Sequence, residues 1–236
     1  MTKWLASVQS LKEAHILLPV LPDILDMKQP EKGALGALDI ETISQIVDFI
    51  AGRCQTSATI GDLPMNADLI STAMMAVAAS RVDYVKIGLF PNPHLKACIA
   101  NLAPSVNALS TPVIAVLFAD KEADLALLPL LKESGFHGVM IDTAIKKGQH
   151  LRTHWSAIQL SNFVKQAHQQ GLLCGLAGAL RCKDIAALTQ HGADYLGFRS
   201  ALCEQQQRTS QLKRVLAEQI QQAIKLSSDE KIAKYG

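Results

Sequence analysis

Short apolar runs alternate along this chain with longer stretches in which apolar residues recur every three to four positions, and the alternation repeats eight times. The first kind reads as buried β-strand and the second as amphipathic helix. The pattern predicts strands over Trp4–Val8, Asp23–Lys28, Thr56–Ile60, Tyr84–Leu89, Val113–Ala119, Gly138–Thr143, Leu172–Ala177 and Tyr195–Arg199. Helices are expected over Ile40–Ala51, Ala67–Ser80, Ala123–Ser134, Ala157–Gln170, Asp184–His191 and Arg208–Leu226. Glycines at Gly135, Gly171 and Gly192 stand between a helix and the next strand, where a left-handed cap ends the helix.

Eight strand–helix units in 236 residues suit an α/β fold closed as a single (β/α)8 TIM barrel, for which roughly 250 residues is typical. An open doubly wound sheet is the alternative, but no Gly-x-Gly-x-x-Gly turn follows an early strand. The barrel is expected over residues 1–226. A polar tail over 227–236, lacking a core face, is expected to fray.

Charge breaks the apolar pattern at three of these strands. Alternate strand residues share a face, so Asp26 and Lys28 point together, opposite Leu25 and Met27. By the same parity Lys86 goes with Tyr84 and Gly88, and Asp142 with Met140 and Ala144. The apolar partners must face the helices, which turns the charges inward. These are strands two, four and six, and alternate strands supply each inward layer of a barrel, so the three clusters can meet around one axis. Burying such groups costs several kcal/mol unless partners offset it. The bland reading is therefore a set of ion pairs that only fixes the interior; the other is a reaction centre.

Composition narrows the partners. Hydrophobic residues make up 49% of the chain, enough for one large core, and 23 Lys+Arg nearly balance 21 Asp+Glu. Without a long basic run or basic–aromatic interleaving, nucleic acid is not an expected partner. Apolar runs are too short and too often interrupted to span a bilayer, and the first residues pass into a strand without a signal-like segment, so a cytoplasmic protein is expected. The uncharged outer face of Thr72–Ala79 suits a homo-oligomer contact. Five scattered cysteines show no Cys-x-x-Cys spacing and read as reduced core thiols; Cys203, near a strand end, has no evident base beside it.

A lysine held in a dry pocket or beside another cation can attack a carbonyl to form a Schiff base, whose iminium accepts electrons during carbon–carbon bond making or breaking. Carboxylates and a second amine can move the protons. Glycine-rich turns after strands seven and eight, Gly175–Leu180 and Gly197–Leu202, are where barrels often hold phosphate on backbone N–H groups. Gly178, Ala179 and Ser200 are the candidates there, with Arg199 as counter-charge, and a phosphorylated small-molecule substrate is implied. The loop Lys28–Gly36 could act as cradle or lid, Thr59 could offer its hydroxyl to substrate, and Asp62 either joins it or starts the next turn. His150 and His154 have the i, i+4 spacing of a helical metal clamp but no third ligand, so no metal is expected, and no cofactor.

Several motifs in order then resemble a known family: Asp23–Pro30 with Gly33–Leu38, Ser57–Pro64, Asp83–Leu89, Asp142–Gly148, Leu176–Leu180 and Gly197–Cys203. Together, over about Ala6 to Cys203, they are similar to (5-formylfuran-3-yl)methyl phosphate synthase, also called 4-(hydroxymethyl)-2-furancarboxaldehyde-phosphate synthase. The segment Leu17–Pro22 departs from the Gly-Gly-Ala turn usual in that family, at the far end of its strand from the chemistry. The resemblance implies a lyase that condenses two molecules of glyceraldehyde 3-phosphate, losing phosphate and water, to the furan precursor of methanofuran-type one-carbon carriers. It further implies Lys28 as Schiff-base lysine, with Asp26, Lys86, Asp142 and Lys146 orienting substrate and moving protons, and with Asp142 and Lys146 as a relay. Two alternatives stay open on the residues alone: a class I aldolase of another sugar phosphate, and a non-catalytic phosphosugar-binding barrel.

Overall fold

A computed structural model describes residues 2–145 and 149–235, with side chains as far as Ser228. The strands run β1 Lys3–Val8, β2 Ile24–Met27, β3 Gln55–Thr59, β4 Tyr84–Gly88, β5 Val113–Phe118, β6 Gly138–Asp142, β7 Leu173–Leu176 and β8 Tyr195–Phe198. Each lies within one residue of its expected ends. All pair in parallel, in chain order, and β8 closes on β1 through Lys3↔Tyr195 to Ala6↔Phe198, giving the expected (β/α)8 barrel.

The helices are α1 Leu11–Leu17, α2 Ile40–Ile50, α3 Ala67–Ala79, α4 Leu95–Ala108, α5 Leu127–Glu133, α6 Leu151–His154, α7 Ala157–Gln169, α8 Ile185–Thr189 and α9 Arg214–Tyr235. Polar caps fix where several begin: the Asp39 carboxylate accepts from Thr42 N at 2.7 Å, and the Asn66 amide oxygen accepts from Asp68 and Leu69 N. Gly135, Gly171 and Gly192 all adopt the left-handed conformation expected at helix ends.

Strand parity sorts the core into two parts. Leu25, Met27, Val85, Ile87, Val139 and Ile141 pack outward against the helices. Leu5, Ile24, Ile114, Val116, Met140 and Tyr195 fill the barrel interior. Gly175 leaves room for Tyr195, since a Cβ there would lie 2.3 Å from the ring.

Boundaries differ from expectation where loops carry helix-like sequence. Before α5 the chain makes a tight 3₁₀ turn at Ala119–Lys121, so that helix starts at Leu127 rather than Ala123. Ahead of α9, residues 199–213 form turns around an isolated bridge between Cys203 and Leu212, which leaves Arg208 in a loop. α9 itself continues past Leu226 to Tyr235, so 227–235 is helical rather than a frayed tail. The Ser228 hydroxyl donates to Ile224 O at 3.0 Å, feeding a helix carbonyl and letting a serine lie buried.

Candidate active site

Register sets the first layer of charge. β1, β2, β3 and β4 align Ser7, Asp26, Ser57 and Tyr84 at one level of the interior. Asp26 is fully buried there, an arrangement that would be costly without donors. Three are supplied: Ser7 Oγ at 2.8 Å to Oδ2, then Ser57 Oγ at 2.6 Å and Lys86 Nζ at 2.7 Å to Oδ1. Burial pushes the Asp26 carboxyl up. The charges of Lys86 and Lys28, with the hydrogen bonds from Lys86 and Ser57, outweigh burial and hold it below the usual carboxylate range.

Above this layer a cavity of about 510 Å3 opens at the C-terminal ends of the strands. Its floor is Leu5 and Met140, and three ionisable side chains from β2, β4 and β6 face it: Lys28, Lys86 and Asp142. They are 8%, 2% and 4% exposed, so the polar centre is nearly dry. Backbone bonding fixes both edges. Lys28 N donates to Val8 O at 3.0 Å, and Asp142 Oδ1 accepts from Thr143 N at 2.7 Å. Of the sequence-expected group, Lys28, Lys86 and Asp142 thus share the cavity, Asp26 does not line it but lies fully buried against Lys86, and Lys146 lies outside the described residues.

The phosphate candidates divide. Gly178, Ala179 and Ser200 line the same cavity. Gly178 and Ala179 both have positive φ, +109° and +50°, a turn held where Leu151 N donates to Gly178 O at 2.8 Å. Arg199 also borders the cavity, but its guanidinium is spent inside the protein. It pairs with the buried Glu13 carboxylate, with Nη2 to Oε1 at 3.1 Å, and donates to Ser7 O at 3.1 Å and Arg208 O at 2.7 Å. The counter-charge role expected of it does not fit, because Glu13 already neutralises it. Arg199 instead ties β1 to the loop after β8.

Thr59 is placed differently too. Its side chain is fully buried, its hydroxyl donates to Gly36 O at 3.0 Å, and it is not among the residues lining the cavity. The reason is geometric: the loop after β2 folds across the end of β3 and takes that hydroxyl. The same loop is pinned rather than lid-like. Gln29 N donates to Gly36 O at 2.7 Å, the Asp62 carboxylate accepts from Ala34 and Leu35 N at 2.8 Å each, and Leu35 is buried in the interior cluster. Gly33, at φ +125°, is required there, since a Cβ would lie 2.1 Å from Asp62 Oδ2.

Two arginines missed in the sequence also line the cavity. Arg208 lines the cavity half-buried and donates Nη1 to Gly33 O at 3.0 Å; burial lowers its pKa, with the nearby Asp142 and Asp62 charges only partly opposing that shift. Arg181 lines it as well, donating Nε to Asp184 Oδ2 at 3.1 Å and Nη2 to His150 Nε2 at 2.6 Å. Arginine can only donate, so His150 Nε2 accepts and the ring proton sits on Nδ1. Burial and then the Arg181 charge lower the His150 pKa, consistent with that neutral ring. Neither arginine carried a sequence signal: Arg208 was read into a helix, and Arg181 follows a turn without periodicity.

His150 borders this cavity whereas His154 borders a separate surface recess with Trp155 and Asp120, so the pair does not converge. Cys203 is buried, its thiol donates to Arg199 O, and burial pushes it up to about 11.

Comparison with known proteins adds an independent line. The family model described as 4-HFC-P synthase matches residues 4–221. A protein of Methylorubrum extorquens, provisionally named (5-formylfuran-3-yl)methyl phosphate synthase, is 39% identical over 208 residues, covering 88% of this chain and 85% of its own. The (5-formylfuran-3-yl)methyl phosphate synthase of Methanopyrus kandleri is 34% identical over 210 residues, covering 83% and 89%. Among solved structures, phosphoribosyl anthranilate isomerase from Thermotoga maritima superposes with a TM-score of 0.69 at 11% identity, covering 95% of this chain and 99% of its own, a likeness of fold alone.

Proposed function

We propose, from the premise that this chain belongs to the 4-HFC-P synthase family, that it makes (5-formylfuran-3-yl)methyl phosphate from two triose phosphates through a Schiff base on Lys28. The observation that carries this reading is the nearly dry convergence of Lys28, Lys86 and Asp142 on one cavity from three alternate strands. Its volume falls in the range of roughly 300–1,000 Å3 usual for small-molecule sites.

The chemistry follows from what each residue can do. The Lys28 amine adds to the aldehyde of glyceraldehyde 3-phosphate, and loss of water gives the iminium. That iminium draws electrons from the adjacent carbon, so a proton leaves it and the resulting enamine attacks the carbonyl of the second triose. Asp142, at the cavity edge of β6, is placed to take and return protons, with Lys146 as its expected relay partner. Lys86, ion-paired with Asp26, supplies a fixed positive field where oxyanions develop. By atom count, two trioses become the furan phosphate with loss of one inorganic phosphate and two waters.

Two trioses bring two phosphates, and two guanidinium groups face the cavity. Arg181 and Arg208 are suited to hold them, together with the turn at Gly178 and Ala179 and with Ser200. Arg181→Met and Arg208→Met should each raise KM for glyceraldehyde 3-phosphate by about tenfold or more, the effect of losing a charge-assisted contact. At saturating substrate each variant should still form the Lys28 adduct. An unchanged KM in steady-state assays rejects the assignment.

The direct test of the reaction is to incubate the protein with glyceraldehyde 3-phosphate. A conjugated furan aldehyde absorbing in the ultraviolet and a matching release of inorganic phosphate are expected; an aldol product without phosphate release would favour an ordinary sugar-phosphate aldolase.

Among the described residues no helix is long and apolar enough to cross a membrane. A cytoplasmic setting without nucleic acid fits free cysteines and near-balanced charge. The homo-oligomer reading rests on α3, which exposes Leu69 and Met75.

A further inference from the structure

Two carboxylates outside the cavity repeat one device. Asp62, just past β3, accepts the consecutive amides of Ala34 and Leu35 in the loop that follows Lys28. Asp120, just past β5, accepts the consecutive amides of Ala144 and Ile145, at 2.7 and 2.6 Å, in the loop that follows Asp142. Each clamp reaches from a strand without catalytic charge to the loop leaving an adjacent strand that carries it. Neither residue lines the cavity.

We infer that Asp62 and Asp120 are positioning residues for the proposed reaction, Asp62 setting the Lys28 loop and Asp120 setting the segment that leaves Asp142 at the end of β6. A charged carboxylate has two oxygens, and here each oxygen takes one amide, so the clamp fixes both the place and the orientation of a two-residue segment. Asparagine cannot substitute. Its nitrogen is a donor and would face one of the two N–H groups. On the β2 side the clamp is reinforced by Arg208 on Gly33 O and by Thr59 on Gly36 O. On the β6 side Asp120 acts two residues beyond Asp142, so a slackened loop displaces that carboxylate directly. Displacement of about 1 Å at a reacting group is enough to cost on the order of a hundredfold in rate.

Because the clamps serve different loops, they separate by step. This inference rests on Lys28 as the Schiff-base lysine. In rapid-quench borohydride trapping with glyceraldehyde 3-phosphate, Asp120→Asn should form the Lys28 adduct at the wild-type rate while turnover falls roughly 10–100-fold. Asp62→Asn should slow adduct formation itself by a similar factor. Two variants that slow both steps in parallel, or neither, would overturn the inference while leaving the Lys28 reading in place. Failure of the wild-type protein to trap on Lys28 would instead remove the Lys28 reading and with it the assignment of steps. Hydrogen exchange on the unmodified protein needs no variant to fold: the amides of Ala34, Leu35, Ala144 and Ile145 should be protected, and exchange at the free-peptide rate there would show that the clamps do not hold.

Discussion

Lys28→Arg stops turnover, by on the order of 10⁴–10⁶-fold, the scale of losing a covalent nucleophile, while the protein stays folded. Arginine keeps the positive charge that helps hold Asp26 ionised, so the electrostatic balance of the floor is preserved. What it removes is an amine able to lose its proton and attack a carbonyl, because guanidinium remains charged at any pH the protein survives. Lys28 is nearly buried and lines the cavity. Mass spectrometry after borohydride reduction in the presence of glyceraldehyde 3-phosphate should therefore place a triose phosphate adduct on Lys28 in the wild-type protein and none on the variant. An adduct on Lys86 instead, or turnover within tenfold of wild type in Lys28→Arg, would sink the assignment.

Lys86→Met costs stability as well as activity, by about 3–5 kcal/mol, the usual penalty for leaving one member of a buried pair behind. Asp26 has no exposure to water, Lys86 pairs with it directly at 2.7 Å, and Ser7 and Ser57 cannot neutralise it. The double variant Asp26→Asn/Lys86→Met should recover most of that loss, because the uncompensated charge has gone with its partner. Chemical denaturation of the four proteins measures the coupling. Loss below about 1 kcal/mol in the single variant would mean that water or Lys28 takes over the role.

The pH dependence carries a sign that can be checked. In the wild-type protein Asp26 sits below its unfolded value of about 3.9. Its contribution is therefore fully present above that pH and is lost as pH falls through the lower folded value. Without Lys86, burial becomes the dominant influence and raises the folded pKa. The folded variant then takes up a proton more readily than the unfolded chain, and the penalty of Lys86→Met shrinks as pH is lowered toward the carboxylate range. A penalty that grows on acidification would contradict this account.

Strand positions were legible because a strand buried on both faces imposes an apolar run of fixed length, bounded by charged or glycine residues. Inward parity was legible for the same reason. Val85 and Ile87 had to face helices, which left Lys86 only the interior. Loops lack such a period. The residues expected to be helical from Arg208 form turns because Arg199 captures Arg208 O while also pairing with Glu13, a contact that joins positions 186 residues apart. Thr59 has the right strand end for a substrate contact, but only the path of the neighbouring loop shows that its hydroxyl is already used.

The sequence by itself determined a barrel of eight parallel strands and which charges point into it, since both follow from side-chain alternation with a period of two. Tertiary structure alone decided which cations remain for substrate. Arg199 is spent on Glu13, whereas Arg208 and Arg181, which shares the single Asp184 carboxylate with Arg152, line the cavity, and Asp62 and Asp120 clamp the loops beside it. Those assignments depend on pairing between segments far apart in the chain, where distance and hydrogen-bond competition, rather than any local pattern, settle which donor meets which acceptor.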